Sequence, residues 1–574
     1  MKSIIDLLNI LKKERIKTWF DLNKFIKTIQ ENHRFSPNEL LYLNKEKEIE
    51  FKHIAFITFH YGVDGVSIEI CKYLKIINEL FNNIEIHLIG GEFSETFKQI
   101  NNINYKCFIV NEINGFSKWK YFNTFYKTKL IRDSEIYNNL AINIWNEIQV
   151  ISKKIGEYLL ENKIQLIYLV NTNSNPGNIS LSISNVIISE YLKIPVISNN
   201  HDFFWEGGNI QNVNNSKLKL KTRDHFFTNF TLKEIFSIIE ITCPWSSKYW
   251  FSLNINLEQS KRLINKYEHS KDSVGEISTA IDTENYKPLS DEIRKKEIFN
   301  QISKILSGYK NDLKVYSLRN VNSLKNNYIY KPFLLGLENN NLIDISYKDL
   351  IFLQPTRITD RKKIEVNFFL LKKLFEQRNF IQLYLKNQIA NILIIVTGPI
   401  TAGHKNYFHF LIENFIKILK EIDSEYQKKI FLGFLFSEFD KITFKKRFKK
   451  PIKIYDLYKV SSLITLPSET EGRGLPIIEG ASCEKPVFAR RYYPEKVFSD
   501  VIGEHLSTDQ RLNIIEFQKK INDITVYKLI EFLFTNKNEI MKNNRQIVKK
   551  RYNMNTLKNC IKETLLYTFS RAYY

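Results

Sequence analysis

The stretch His53-Ile54-Ala55-Phe56-Ile57-Thr58-Phe59-His60-Tyr61-Gly62-Val63-Asp64-Gly65 begins with consecutive apolar residues and ends in a turn with two glycines. A helical pattern of apolar residues follows from about Val66 to Leu80. A short strand, a tight turn and a helix in this order are typical of the start of a parallel α/β domain. Consecutive apolar residues are expected in strands that are buried on both faces of such a sheet. The stretch therefore predicts the α/β class.

Runs of the same kind recur in two series along the chain, and each run lies close to a helical segment. The first series continues at residues 84–89, 165–170 and 195–198. The second comprises residues 350–353, 392–396, 431–435, 463–466 and 486–488. Two such series predict two Rossmann-like, doubly wound domains that face one another across a cleft.

The predicted organisation has five segments. A helical N-terminal extension over residues 1–50 carries Ile4, Leu7, Leu8 and Leu11 on one face. The two Rossmann-like domains occupy residues 51–283 and 345–524. Between them, the Asn- and Lys-rich residues 284–344 are predicted to form a connection with an insertion. Residues 525–574 are predicted to be terminal helices.

The 574-residue chain has a formal net charge of +22, with 84 basic and 62 acidic residues. Such an excess points to nucleic acid or an anionic membrane surface as a partner, beside any anionic substrate. The densest basic run, Lys445-Lys446-Arg447-Phe448-Lys449-Lys450, has no nucleic-acid fold signature beside it. Nucleic acid is therefore not expected as a partner.

No run of eighteen uncharged apolar residues and no signal-peptide core occur in the sequence, so we expect a cytoplasmic protein that does not span a membrane. Lysines of the extension favour peripheral attachment to the inner face of an anionic membrane: Lys12, Lys13, Lys17, Lys24 and Lys27. The competing interpretation is that the helix packs on the first domain with its lysines in water. The five cysteines lie far apart without a C-x-x-C pair, so neither a disulfide framework nor a thiolate metal site is expected.

The sharpest functional signal follows the run at residues 463–466 and opens a helix. It reads Pro467-Ser468-Glu469-Thr470-Glu471-Gly472-Arg473-Gly474-Leu475-Pro476-Ile477-Ile478-Glu479-Gly480. Glycine is scarce in this chain, with 19 residues in 574, against a typical ~7%. Gly472 and Gly474 on either side of Arg473 therefore indicate a close approach of the backbone to a ligand. The amides where the helix begins, near Gly474 and Leu475, form a ready site for an anion.

Glu471 and Glu479 are eight positions apart, about two helical turns, so both carboxylates can flank one ligand. A carboxylate suits the paired hydroxyls of a ribose. The alternative is that Glu471 is an ordinary first-turn carboxylate favoured by the helix dipole and that Glu479 is a solvated helix residue. The surrounding pattern Ser-x-x-Glu-Gly-x-Gly-Leu-Pro favours the ligand site.

This segment resembles the E-x7-E motif of family 4 of the retaining glycosyltransferases, which have the GT-B fold. Gln354–Glu365 is similar to the strand-end arginine and basic turn of the family, and Ser278–Pro288 to the segment where the chain leaves the N-terminal domain. The likeness covers most of residues 51–500. It implies retaining, metal-independent transfer of a hexose from a nucleotide-diphosphate sugar, with no cofactor. The acceptor would be a glycan, a lipid-linked molecule or a small molecule that meets the N-terminal domain.

Two basic residues after the run at 350–353 suit a departing diphosphate. Charge grows on the leaving oxygens in the transition state, and a metal-free enzyme must supply fixed cations and amides there. Arg357 offers a planar fork for phosphate and Lys362 a point charge. Alternatively, Arg361, Lys362 and Lys363 form a solvated basic turn. The sequence contains no D-x-D, the usual metal-carrying motif of the other major glycosyltransferase fold, which favours a metal-independent site.

In the first domain, His201-Asp202 follows the run at residues 195–198, at the end of the strand where parallel sheets bind ligands. The resemblance implies that His201 meets the transferred sugar and that Gly62 and Gly65 border the acceptor and the donor phosphate. Plainer interpretations are a structural histidine and an ordinary strand-to-helix turn.

The sequence departs from the family at Arg473, where an aromatic residue is usual, and at Glu484, where glycine is common. We predict that Glu471, His201, Arg357 and Lys362 are catalytic. The predicted donor-binding residues are Glu479, Gly472, Arg473, Gly474, Leu475, Gly62 and Gly65. Rival functions are a GT-B-fold epimerase or phosphorylase, a non-catalytic polyanion binder, and a scaffold that has lost activity.

Overall fold

The computed structural model describes residues 4–32, 52–62, 65–81, 83–95, 97, 103–206, 220–221, 226–310, 312–317, 331–338, 343–401, 404–535 and 537–573. The chain divides into two compact units. Unit 1 comprises Met1–Ser278 and Leu557–Tyr574, and unit 2 comprises Thr279–Thr556.

Unit 1 contains a parallel sheet. Its strands are β1 (His53–Ile57), β2 (Glu85–Gly90), β3 (Lys106–Ile109), β4 (Leu166–Val170), β5 (Val196–Asn200), β8 (Trp250–Asn254) and β9 (Val274–Glu276). Between β5 and β8 along the chain, β6 (Leu220–Lys221) and β7 (Phe226–Phe227) form a separate antiparallel ribbon. The sheet order is β3-β2-β1-β4-β5-β8-β9, and its pairings are parallel. This is the order of a Rossmann-like, doubly wound sheet.

The helices of unit 1 that precede this sheet or connect its strands are α1 (Ile4–Lys13), α2 (Trp19–Asn32), α3 (Gly65–Leu80), α4 (Glu135–Glu161), α5 (Ile179–Leu192), α6 (Lys233–Thr242) and α7 (Leu257–Tyr267). Asn178 caps α5, because its side chain accepts a hydrogen bond from the amide of Leu181 at 3.1 Å. Residues 179–190 of that helix are buried on every side. The helix is therefore central to unit 1.

The described part of the predicted extension forms α1 and α2, and the apolar faces of these helices belong to the core of unit 1. Leu7 and Leu11 of α1 and Trp19 of α2 are each at most 1% exposed and lie in one hydrophobic cluster with α4 and α5. The Trp19 indole donates a hydrogen bond to the carbonyl of Tyr137 at 3.0 Å. The apolar side of the extension is thus used in packing, as in the competing interpretation above. Residues 1–3 and 33–50 of the predicted extension lie outside the described residues.

Unit 2 contains a second sheet, with strands β10 (Val315–Tyr316), β11 (Phe333–Leu335), β12 (Leu350–Gln354), β13 (Ile392–Val396), β14 (Ile430–Phe434), β15 (Leu463–Leu466), β16 (Val487–Arg490) and β17 (Ile515–Phe517). The order is β10-β11-β14-β13-β12-β15-β16-β17. The β11–β14 pairing is antiparallel and the others are parallel. From β14 to β17 the order repeats that of the first sheet.

The helices of unit 2 are α8 (Glu292–Leu306), α9 (Val366–Phe375), α10 (Arg378–Lys386), α11 (Lys405–Leu419), α12 (Ser424–Gln427), α13 (Ile442–Lys445), α14 (Ile454–Val460), α15 (Leu475–Ser482), α16 (Glu495–Ile502), α17 (Asp523–Phe534) and α18 (Asn538–Arg551). Alternate residues of β12 lie in two different clusters: Ile351 and Leu353 in one, Leu350 and Phe352 in the other. Both faces of this sheet are therefore covered, which explains why its strands are consecutively apolar.

The final helix, α19 (Met554–Tyr573), belongs to unit 1 from Leu557 onward. Its Arg571 donates hydrogen bonds to the carbonyls of Asp272 at 3.2 Å and Ser247 at 2.7 Å. The chain therefore returns to its first unit after completing the second.

The segment 284–344, predicted to be a connection with an insertion, differs in the structure. Its described part contributes α8, β10 and β11 to unit 2. Both strands are very short, and β11 pairs with a strand much later in the sequence, as Leu335 does with Leu432, so local composition gives little sign of them. Among the described residues, no helix is long and apolar enough to cross a membrane.

Candidate functional site

The predicted donor residues of unit 2 lie after β12 and after β15, which are neighbours in the sheet. The strand order reverses between these two strands, because β13 and β14 lie on one side of β12, and β16 and β17 lie beyond β15. Ligands of open α/β sheets bind outside the carboxyl ends of the strands at such a switch point. The topology therefore brings together two loops that are about a hundred residues apart in sequence.

A buried ion pair joins the two loops. The ammonium of Lys362 contacts Oε1 of Glu471, and each residue is only 8% exposed. The backbone of Lys362 is also held, because Nε2 of Gln354 donates to its carbonyl at 2.9 Å. Asn367 in turn donates to Gln354 at 2.5 Å. Lys362 is thus a positioned buried cation rather than part of a solvated turn.

The charges of this pair respond to burial and to each other. Burial lowers the pKa of Lys362 to about 8, although the carboxylate of Glu471 opposes this change. Burial alone would raise the pKa of Glu471, but the cations of Lys362 and Arg361 hold that pKa below its ordinary value. At neutral pH the pair is therefore an ammonium and a carboxylate. An ammonium has three donors, so Lys362 can bind a second anion while it contacts Glu471.

The neighbours of Lys362 tie the loops together by other contacts. Arg361 donates from its guanidinium to the carbonyl of Thr470 at 2.9 Å, and its own carbonyl accepts from the amide of Glu469 at 2.8 Å. The ammonium of Lys363 lies 3.5 Å from the Glu469 carboxylate. Arg357 is different, since it is exposed just beyond the end of β12. Its guanidinium is therefore accessible to an anionic ligand.

The glycine-rich loop ends at α15. Gly474 has a φ of +59°, the left-handed region, and is the residue that precedes the helix. A Cβ at this position would lie 2.3 Å from the hydroxyl of Tyr492, so both conformation and space require glycine. Leu475 is the first residue of α15, and Arg473 is 9% exposed, so the loop is largely buried. The amides of the first helical turn point along the helix axis toward its N-terminus.

Glu479 is held by two tyrosines that sequence reasoning missed. The hydroxyl of Tyr286 donates to Oε1 of Glu479 at 2.9 Å, and the hydroxyl of Tyr458 donates to Oε2. Burial raises the pKa of both tyrosines well above the ordinary value, and the Glu479 carboxylate raises it further. Both hydroxyls therefore remain donors. A carboxylate oxygen can accept more than one hydrogen bond.

In unit 1, His201 lies at the carboxyl end of β5 and is half-buried. Its Nε2 lies 2.6 Å from Oδ1 of Asn199, and its backbone amide donates to Oδ1 of Asn171 at 3.2 Å. The same oxygen accepts from the amide of Asp202 at 3.0 Å. Asn171 follows β4, next to the switch point between β1 and β4. Sequence reasoning missed Asn171, since one asparagine in an Asn-rich chain carries no signal.

Gly62 follows β1, and Gly65 is the first residue of α3. The amide of Gly62 donates to the hydroxyl of Ser67 at 2.9 Å. Gly65 is exposed, and a Cβ there would meet no atom within 4 Å. Packing within the chain therefore does not explain Gly65. The predicted site residues thus form two groups, with Gly62, Gly65 and His201 in unit 1 and the others in unit 2.

Comparisons with known proteins find a relative that matches part of the sequence and solved structures with a similar fold. No protein-family model matches the sequence. A stretch of 202 residues is 26% identical to the mannosylglucosylglycerate synthase of Petrotoga mobilis (strain DSM 10674 / SJ95). That alignment covers 33% of this chain and 43% of the relative, so the chain matches less than half of the relative's length.

Two solved structures resemble the chain over most of its length. The N-terminal domain of a trehalose-6-phosphate phosphatase from Candida albicans matches with a TM-score of 0.53 and 11% identity, over 92% of this chain and 99% of that one. A glycosyltransferase from Rickettsia africae ESF-5 matches with a TM-score of 0.49 and 14% identity, over 90% of this chain and 98% of that one. At 11% identity the Candida albicans likeness shows the fold alone. With the two doubly wound sheets it confirms the predicted α/β class of the GT-B type.

Proposed function

We propose that this protein is a glycosyltransferase that transfers a hexose from a nucleotide-diphosphate sugar to an acceptor hydroxyl. We further propose that the transfer retains the anomeric configuration and needs neither a metal at the reaction site nor a cofactor. The observation that carries the proposal is the buried Lys362–Glu471 pair at the switch point of unit 2, beside the helix N-terminus after Gly474. The 26% identity to a mannosylglucosylglycerate synthase supports the same reaction class.

The cations and amides of unit 2 suit a leaving diphosphate. The ammonium of Lys362 is largely removed from water, so it interacts with developing phosphate charge more strongly than a solvated lysine does. Arg357 is exposed at the strand end and offers a bidentate fork. The loop at Gly472, Arg473, Gly474 and Leu475 would add amides at the N-terminus of α15. These groups stabilise the charge that appears when the bond to the sugar breaks.

The two glutamates have different proposed roles. Glu471 is ionised beside Lys362, and we assign it to the transferred sugar, where it would stabilise positive charge that develops on the ring. Glu479 is held by Tyr286 and Tyr458, and we assign it to the ribose hydroxyls. In unit 1, we assign His201 to the sugar, oriented by Asn199, and Gly62 and Gly65 to acceptor and phosphate.

The pH dependence of donor use should report the ionisation of Lys362. Because burial lowers its pKa to about 8, the cation is present at neutral pH and is lost as the pH rises through that value. We expect kcat/KM for the donor to be level below about pH 7 and to fall about tenfold per pH unit above about pH 9, since kcat/KM follows groups of the free enzyme. A Lys362→Arg variant keeps its charge in this range and should lack the alkaline limb. If that variant keeps the same limb, another group is responsible.

Glu479→Ala should weaken donor binding by at least tenfold while kcat changes by less than threefold, because the ribose contact is present in ground state and transition state alike. Tyr458→Phe removes one donor to Glu479 and should raise the donor dissociation constant by roughly threefold to tenfold, about 1 kcal/mol per hydrogen bond. Calorimetric titration with the donor and steady-state kinetics measure both. Tyr455→Phe, beside the same cluster, is the matched control and should bind as the unmodified protein does.

The reaction class is tested with purified protein and a panel of UDP-, GDP- and ADP-sugars. Thermal-shift measurements identify the donor, since a ligand at ~100 times its dissociation constant stabilises by about 2.7 kcal/mol. A transferase releases nucleoside diphosphate from that donor only when an acceptor is added. If the sugar nucleotide is altered without an acceptor, the protein is an epimerase. If inorganic phosphate drives the release of nucleoside diphosphate, the protein is a phosphorylase. Nucleotide binding without turnover would indicate a scaffold that has lost activity. Nanomolar binding of nucleic acid at physiological salt would indicate a polyanion binder.

The acceptor is proposed to be a glycan, a lipid-linked molecule or a small molecule, and the protein to act in the cytoplasm. Peripheral attachment to an anionic membrane would rest on the exposed lysines of the extension, because its apolar face is packed in the core of unit 1. These lysines are Lys12, Lys13, Lys17, Lys24 and Lys27. We expect co-sedimentation of the full-length protein with anionic vesicles at low salt and release at high salt. Protein that stays in the supernatant at low salt contradicts this attachment.

A further inference from the structure

Three side chains at the start of the first sheet form a cluster that the proposed reaction does not use. His53 and Glu85 are the first residues of β1 and β2 and are direct partners in the parallel register. His87 lies two residues along β2, so its side chain is on the same face as that of Glu85. The cluster is therefore at the amino ends of these strands, and His201 follows the carboxyl end of β5.

The distances in this cluster suit a small metal ion. One ligand atom from each of His53, Glu85 and His87 lies within 4.8 Å of the others. Nδ1 of His53 is 3.6 Å and Nε2 of His87 is 2.8 Å from Oε1 of Glu85. Ligand atoms about 2.1 Å from a tetrahedral zinc ion are about 3.4 Å apart. The two measured distances lie on either side of this value, so rotations of side chains would be enough to bring the three atoms around one ion.

The two imidazoles have nitrogens that face the cluster. Nδ1 of His53 and Nε2 of His87 are both buried atoms. Nδ1 of His53 makes no hydrogen bond, and buried polar atoms without a partner are uncommon in folded proteins. His87 is fully buried, and its Nε2 faces the Glu85 carboxylate at 2.8 Å. The other ring nitrogen of His87, Nδ1, lies 2.9 Å from the hydroxyl of Tyr158. Such a contact on the far nitrogen orients a histidine that binds metal.

The Glu85 carboxylate of this cluster already has a cationic neighbour, Lys106, with which a metal ion would compete. The Lys106 ammonium lies 2.7 Å from Oε1 of Glu85, but its side chain is 55% exposed. A long, exposed lysine side chain can turn into solvent when another cation takes its place.

We propose that His53, Glu85 and His87 form a binding site for one Zn²⁺ ion, with Lys106 as the group that the ion displaces from Glu85. Two imidazoles and one carboxylate are a ligand set that zinc prefers, with solvent in the remaining position. The ion would join β1 to β2 at the amino ends of the strands. It would thereby stabilise unit 1 without taking part in transfer, so the site is independent of the proposed reaction.

The experiment titrates untagged, metal-free, full-length protein with ZnCl₂ in competition with a chromophoric chelator, and metal analysis after dialysis gives the stoichiometry. We expect one ion per chain. Glu85→Gln and His53→Gln should each weaken binding at least tenfold, because each removes one of three ligands. Lys106→Ala should strengthen binding several-fold, since it removes the competing cation and leaves all three ligands. His505→Gln and Cys107→Ser are matched controls that should bind zinc unchanged.

Thermal unfolding with and without zinc separates loss of a ligand from loss of the fold. The unmodified protein and Lys106→Ala should show a higher Tm with zinc, and Glu85→Gln should show no such shift while its Tm without zinc stays within a few degrees. The proposal is overturned if Lys106→Ala binds no zinc, or if Glu85→Gln and His53→Gln bind it as the unmodified protein does. A requirement for Cys107 would likewise overturn it.

Discussion

Replacement of Lys362 by methionine is expected to lower kcat/KM for the donor at least a hundredfold, which corresponds to about 2.7 kcal/mol of transition-state stabilisation. The variant loses the buried cation that we assign to the leaving diphosphate, and methionine keeps the volume of the side chain. Lys363→Met is the matched control. The ammonium of Lys363 is 3.5 Å from Glu469 and more exposed than that of Lys362, so its loss should cost less than threefold. Equal losses of kcat/KM in the two variants would contradict a specific phosphate contact of Lys362 and would indicate a diffuse basic surface instead.

The same substitution should also destabilise unit 2, because Glu471 becomes a buried carboxylate without its main cation. Removal of one partner of a buried pair costs about 3–5 kcal/mol, and the nearby Arg361 should keep the cost near the lower end. The double variant Lys362→Met/Glu471→Gln should recover most of this stability in urea unfolding but none of the activity. Recovery of activity in the double variant would contradict the assigned role of Lys362.

Trp19→Ala is expected to lower the free energy of unfolding by about 3–5 kcal/mol, the range for loss of a buried tryptophan. Trp19 is fully buried, lies 5.9 Å from the Phe125 ring between centroids, and donates to the carbonyl of Tyr137. The substitution leaves a cavity and also an acceptor without its donor. Urea unfolding of the full-length protein measures the change.

The neighbouring Phe20 is the control for Trp19, since it is 51% exposed and lies beside Arg132. Phe20→Ala should change the free energy of unfolding by less than about 1 kcal/mol. If Trp19→Ala is equally mild, the extension does not contribute to the core of unit 1. A large effect for Trp19 alone means that the extension is part of the folded domain.

The sequence predicted the strands that are consecutively apolar, and the bounds of β13 at Ile392–Val396 and β15 at Leu463–Leu466 agree with the prediction. Such strands are buried on both faces, so every position carries the signal. The sequence did not predict β3, whose residues are largely exposed at the sheet edge, or the two-residue β10. These strands are defined by their pairing with the adjacent strands β2 and β11, which leaves little trace in their own local composition.

The site shows the same division. The sequence alone predicted that a helix begins near Gly474, with Glu471 before it and Glu479 about two turns further on, because glycine-rich turns and an eight-residue spacing are local properties. Only the tertiary structure showed that Lys362 is buried against Glu471, whereas the neighbouring Arg361 and Lys363 contact the Thr470 carbonyl and the Glu469 carboxylate. It also brought Tyr286 to Glu479 across 193 residues. Burial and long-range contact depend on how the whole chain packs, and no local pattern records them.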